Sequence, residues 1–360
     1  MSRTYKSYSQ PLWQRVLLNR DAAMIGLLVA VWMYASANVE FFDGPLTLTY
    51  LLLDVAPILL IALPMTLVII SREIDLSVAS IVGLSRVLVG VLHDGGMSLP
   101  MAAVCAILAG VACGAFNGFL VAYLGLPSLA VTIGTLALFR GLAVGLLGTT
   151  AVTDFPEKWT DMATGKIGDS RIPQIMIPFL VLAVLFGLLL HFTSFGRGIY
   201  DIGLNKEAAH FSGVNVERTK FLLFVMSGAV SAFAGIYFTL RFGSARGDNA
   251  TGLELQVIAA VLLGGVSIFG GRGRIFGVIA GVLLIGVISS ALRLDGITVN
   301  VINIIIGLLL VASVMSTRVL AWISAQTARA QTARRNPKGI NPPKGTSPTS
   351  APVGVGTKGR

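Results

Sequence analysis

The sequence predicts an all-α integral membrane protein of about ten transmembrane helices, with spans two to five and seven to ten as inverted repeats. Three observations predict it. Of 360 residues, 54% are hydrophobic and only 12% charged, against roughly 25% charged in soluble domains. The apolar residues fall in runs close to the ~20 that carry a helix across a bilayer, with short polar breaks between them. Two pairs of runs repeat the same acid and glycine patterns five spans apart. An odd offset places matching helices in opposite orientation, as in many transporters.

In chain order the spans are 22–38, 48–70, 76–92, 99–123, 127–147, 172–192, 220–241, 254–269, 275–292 and 297–317. Gly or Pro interrupts several of them, and 254–269 is short. The first run follows a polar, basic segment without a small-residue cleavage site, so no cleavable signal peptide is expected.

The net charge of +10 would point to nucleic acid in a soluble protein, but here its distribution along the chain carries the information, and no nucleic-acid partner is expected. With the N-terminus placed in the cytoplasm, cytoplasmic segments hold 19 Lys and Arg and external segments six, while Arg86 and Arg140 lie inside spans. Positive charge stays inside, so both termini are expected in the cytoplasm. The chain then divides into a cytoplasmic segment (1–21), a transmembrane domain (22–317) and a basic tail (318–360). From Gln326 the tail is rich in Pro, Gly, Ser, Thr, Lys and Arg. It cannot bury a core, which predicts disorder, with its charge held at anionic membrane lipid.

The repeat shows in two glycine ladders, Gly110, Gly114 and Gly118 in the fourth span and Gly273, Gly277 and Gly281 at the start of the ninth. A helix face without side chains lets backbones approach closely, which is how helices pack in lipid. Asp75-Leu-Ser-Val opens the third span and Glu254-Leu-Gln-Val the eighth, at the same offset.

A polar island, Gly203-Leu-Asn-Lys-Glu-Ala-Ala-His-Phe-Ser-Gly213, breaks the apolar pattern between spans six and seven. A short helix can begin at Asn205, whose side chain caps free N–H groups, and stop at Gly213, which tolerates the left-handed conformation. Its polar residues Lys206, Glu207 and His210, with Ala208 and Ala209 between them, make either an ordinary solvated linker or a handle for a partner on the cytoplasmic side.

No residues support self-powered or chemical function. Gly165-Lys166 lacks the glycine five positions earlier and the Ser or Thr after Lys that a phosphate loop needs. No Ser-His-Asp order, His-Glu-x-x-His or paired deep carboxylates are present, so no catalytic residues are expected. Cys105 and Cys113 read as packing residues, and His93, His191 and His210 are scattered, so neither metal nor cofactor is expected. Intramembrane charge is costly and points to pathways. Candidates are Asp75, Asn117, Arg140 and Glu254. Arg140 either faces a polar cavity, pairs with an acid, or snorkels to an interface. Asp75 also suits an acidic first turn, and Asn117 also suits a contact between helices.

At these residues the chain resembles the permease subunits of bacterial ATP-binding-cassette importers for monosaccharides, the ribose, xylose, rhamnose and autoinducer-2 group. The matching stretches are Ser71-Arg-Glu-Ile-Asp-Leu-Ser-Val-Ala-Ser-Ile-Val-Gly83, Phe116-Asn117-Gly118, Thr132-Ile-Gly-Thr-Leu-Ala-Leu-Phe-Arg-Gly141, Phe195-Gly-Arg-Gly198, the 203–213 island, and Val261-Leu-Leu-Gly-Gly-Val-Ser-Ile-Phe-Gly-Gly271. The resemblance implies a multi-pass protein of the bacterial inner membrane. It also implies separate ATPase subunits, a second permease, identical or related, and a periplasmic sugar-binding protein. Within it, Asn205–Gly213 docks on the ATPase. Arg-Glu-Ile-Asp and Ala79 look most like the rhamnose and autoinducer-2 branches, while Arg86 departs from the small or apolar residue expected there. The other transport class open to the residues is an ion-coupled secondary transporter with the same inverted-repeat logic.

Overall fold

In the computed structural model, described here for residues 20–315 except 149, 248, 249 and 314, the regular elements are helices. The second helix, α2 (Thr47–Ile70), is buried along almost its whole length. Against it pack α7 (Met176–Phe192), α10 (Val216–Phe242), α11 (Leu253–Leu263) and α12 (Ile275–Leu294), while α3 (Val78–Asp94) and α4 (Leu99–Ala122) pack on α10, α5 (Ser128–Leu147) on α3, and α1 (Arg20–Asn38) on α12. The short α6 (Glu157–Thr164), α8 (Ser194–Leu204) and α9 (Lys206–Phe211) occupy connections, and α13 (Val299–Ser313) follows α12. The described residues up to Ser313 form one compact unit. The expectations for the first nineteen residues and for the tail 318–360 lie outside the described residues.

Among the described residues five helices, α2, α4, α5, α10 and α12, are long and apolar enough to cross a membrane. The pair α7–α8, bent by 68°, makes a sixth. Among the described residues a helix stands at each of the ten expected positions, but α1, α3, α11 and α13 do not qualify by length and apolarity. The eighth run was expected to continue to residue 269, yet α11 ends at Leu263 because Gly264 and Gly265, the latter at φ 98, turn the chain out of the helix.

Connections meet one another at two ends. At one end the Ile70 carbonyl accepts from the Gly271 N–H at 2.8 Å, and Arg72 Nε donates to the Phe269 carbonyl at 2.5 Å. At the other, Thr49 Oγ1 donates to the Arg171 carbonyl (2.8 Å), and Val152 and Ala245 form an isolated bridge. Pro57 inside α2 cannot donate to the Leu53 carbonyl four residues back. That freed acceptor is met by Arg241 Nη1 at 2.6 Å and the Tyr237 hydroxyl at 3.2 Å. In lipid a vacated backbone group needs such a partner.

The glycines of α4 lie against α10. A Cβ on Gly114 would collide with the Phe224 carbonyl oxygen and stand 3.1 Å from Val225 Cα, and one on Gly118 would stand 2.9 Å from the Phe221 carbonyl. Gly110 meets Ala232 and Gly228 in the same way. In the second ladder Gly281 lies against Ala260 and Gly264 of the α11 end, Gly264 in turn against the Gly277 carbonyl, and Gly273, ahead of α12, against Val266 and Ile70.

Candidate functional site

The island at 203–213 folds as an elbow. Thr193 breaks the apolar helix α7, its side chain accepting the Gly196 N–H at 3.0 Å to start α8. At Asn205 the chain turns again. Its backbone is extended, and its side chain accepts the Ala208 N–H at 3.0 Å, satisfying a free donor of α9. The Ser212 hydroxyl donates to the Ala208 carbonyl, and Gly213 reverses the chain at φ 86, a value that disfavours any side chain. Asn215 repeats the cap for α10, accepting the Arg218 N–H at 2.9 Å.

One face of α9 is inward. Ala209 packs with Ile202 and Val216, while Lys206, Glu207, Ala208 and His210 are exposed. Phe211 is 88% exposed and Leu204 58%. Leu204 at the end of α8 and Phe211 at the end of α9 thus put two large apolar side chains at the surface beside the polar face of α9, the kind of patch a partner can cover.

Behind that face the elbow is wedged into the membrane helices. A side chain on Gly203 would collide with the Ile70 carbonyl and with the Gly271 backbone. The Tyr200 hydroxyl donates to the Gly273 carbonyl at 2.7 Å, and Lys220 at the base of α10 forms an ion pair with Glu73. Arg72 closes α2 in the left-handed region, φ 65, a strained state for a residue with a side chain. α8 thus meets the end of α2 and the segment ahead of α12 through the Gly203 backbone and the Tyr200 hydroxyl.

Beyond this layer is a buried polar network. Asp75 Oδ1 accepts the Ser77 hydroxyl (2.6 Å) and N–H (3.0 Å), Oδ2 accepts the Ser227 hydroxyl (2.7 Å), and Asn117 Nδ2 donates to Ser77 Oγ at 2.8 Å. All four residues are fully buried. They tie the 71–77 segment to α4 and α10. The other two pathway candidates stand apart: half-buried Arg140 on α5 and buried Glu254 in the first turn of α11 each have one oxygen or nitrogen without a hydrogen-bond partner among the described residues. Arg86 is buried, donates to the Ser244 carbonyl at 2.9 Å and lies over the Phe238 ring.

Residue patterns alone missed the cross-links Glu73–Lys220 and Asp54–Arg241–Arg293. The available signal was a charge at or inside the edge of each apolar run; which charges meet depends on packing.

Comparison with known proteins agrees with this architecture. The family model described as branched-chain amino acid transport system / permease component matches residues 47–314. The autoinducer 2 import system permease protein LsrD of Salmonella paratyphi B is 36% identical over 278 residues, covering 74% of this chain and 83% of the relative. The protein of the same description from Klebsiella pneumoniae is 34% identical over 308 residues, covering 84% and 92%. That from Yersinia enterocolitica is 34% identical over 302 residues, covering 82% and 90%. No solved structure matches. With most of its helices inside the matched region and relatives aligned over most of both lengths, the chain belongs to the branched-chain amino acid transport system / permease component family.

Proposed function

We propose that this protein is the membrane-spanning subunit of an ATP-driven importer for a small polyhydroxylated solute, a rhamnose-like sugar or autoinducer 2. It crosses the bacterial inner membrane ten times, with both termini cytoplasmic and spans two to five and seven to ten as inverted repeats. It works beside a second permease, identical or related, with separate ATPase subunits inside and a periplasmic binding protein outside. Relatives described as autoinducer 2 import permeases favour the substrate class.

The observation that carries the mechanism is the wedge of Gly203 against the Ile70 carbonyl and Gly271. A motor that closes on the exposed face of α9 moves α8 as a lever, and its thrust passes to the ends of α2 and α12 without compressible side chains between. Rigid transmission of this kind shifts a bundle between inward and outward openings. Arg140, Glu254, Asp75 and Asn117 then serve the route or the helices that form it, with Asp75 and Asn117 holding the moving segment to α4 and α10.

The test is reconstitution with the ATPase and binding protein. Uptake of autoinducer 2 is expected to need ATP and to survive collapse of the ion gradient, and Glu207→Lys is expected to separate ATP hydrolysis from uptake while the chain still inserts. Accumulation by the purified chain alone, driven by an ion gradient, would establish a secondary transporter instead.

A further inference from the structure

We propose that a cavity of mixed polar and apolar lining at the end of the bundle opposite the elbow, between α2, α11, α12 and α13, is a waypoint that binds the solute through its hydroxyl groups. The inference deepens the proposed function and rests on it. The cavity measures about 90 Å³, room for about three waters at ~30 Å³ each. Six polar side chains, Asp54 of α2, Gln256 of α11, Ser289, Ser290 and Arg293 of α12, and Asn303 of α13, share its wall with apolar residues of α2, α12 and α13.

All but Arg293 interrupt apolar sequences, such as Ser289-Ser290 within Ile-Gly-Val-Ile-Ser-Ser-Ala-Leu. Polar side chains that interrupt apolar membrane helices are expensive and mark solute routes. Asp54 is held by charge on both oxygens, by Arg241 on one and by Arg293 Nη1 at 2.8 Å on the other. It fixes Arg293, whose side chain is still 55% exposed, so the guanidinium keeps further donors for a ligand. Gln256 Nε2 donates to Asn303 Oδ1 at 3.3 Å. That bond leaves the Gln256 carbonyl as an acceptor and the Asn303 amide as a donor.

The wall therefore mixes donors and acceptors, with two hydroxyls that act as either. A neutral polyol matches it, because each of its hydroxyls also donates and accepts. An apolar solute would leave these groups unpaired, which is costly, and a cation would face Arg293. The arrangement discriminates by the presence of hydroxyls, the kind of selection a hydrogen-bonding site performs well.

The test uses the complete complex in liposomes with autoinducer 2 as probe. Ser290→Val and Asn303→Leu are each expected to lower uptake about tenfold, the effect of about one unpaired hydrogen-bonding group, with the ATPase still copurifying. Ser290→Thr, which keeps the hydroxyl, is expected to retain uptake. Wild-type uptake in both apolar variants overturns the waypoint and leaves the proposed function standing. No ATP-dependent uptake by the unmodified complex overturns the proposed function, and the waypoint with it. Should the apolar variants fail to assemble, Ser290→Cys in a Cys105→Ala, Cys113→Ala chain decides the question. A hydrophilic thiol reagent is expected to label it, and autoinducer 2 to slow that labelling; labelling at the same rate with and without the probe overturns the proposal.

Discussion

Gly114→Ala adds a single methyl group at the close crossing of α4 and α10. The new Cβ would collide with the Phe224 carbonyl oxygen and stand 3.0 Å from its carbon and 3.1 Å from Val225 Cα. These are backbone atoms, so no rotamer change relieves the contact. Carbon atoms attract best near 3.5–4.0 Å, so α4 and α10 must part by about half an ångström or more. Overpacking of this kind costs about 1–3 kcal/mol, partly offset by the ~0.5–1 kcal/mol that Ala gains over Gly inside a helix. Gly187→Ala in α7 is the control, because nothing lies within 4 Å of its Cβ. It keeps only the gain. The two variants should differ by about 2 kcal/mol, or about 4–8 °C in midpoint at ~2–4 °C per kcal/mol for a chain of this order of size. Thermal unfolding in detergent, followed by the fraction still eluting as a folded species, measures it. Equal midpoints would refute the close approach of α4 and α10.

Three more outcomes follow from the polar contacts. Lys220→Met leaves Glu73 unpaired where both side chains are only 10–12% exposed, so a loss of about 3 kcal/mol is expected, mostly restored by adding Glu73→Gln; a double variant no better than the single one would count against the pairing. Asp75→Ala strands the Ser77 and Ser227 hydroxyls and the Ser77 N–H, and unfolding should come at least about 3 kcal/mol earlier, whereas an unchanged melt would mean water replaces the carboxylate. Asn205→Ala removes the cap of α9 at about 1 kcal/mol and should weaken ATPase copurification, while Asn205→Asp should keep it; equal capture by both variants would show that the elbow's order is irrelevant to docking.

Much of this protein was legible along the chain. Hydropathy located every main helix, because a run that must satisfy its backbone inside lipid has no option but a helix. Asn205 and Gly213 marked the turns of the elbow, because capping and left-handed backbone are local properties. Where local rules ran out, the boundaries slipped. The eighth run reads as apolar to residue 269, but its glycines turn the chain after Leu263.

What tertiary structure alone decided is which groups meet. Asp75 and Asn117 are forty-two positions apart yet share Ser77, Asp75 also reaches Ser227, and Gly203 sits against Ile70 and Gly271. Asp54 holds two arginines from helices far along the chain. Composition and periodicity carry the solvent preference of each segment, which is a one-residue quantity. Contacts between segments depend on helix rotation and approach, set by packing that no single segment contains.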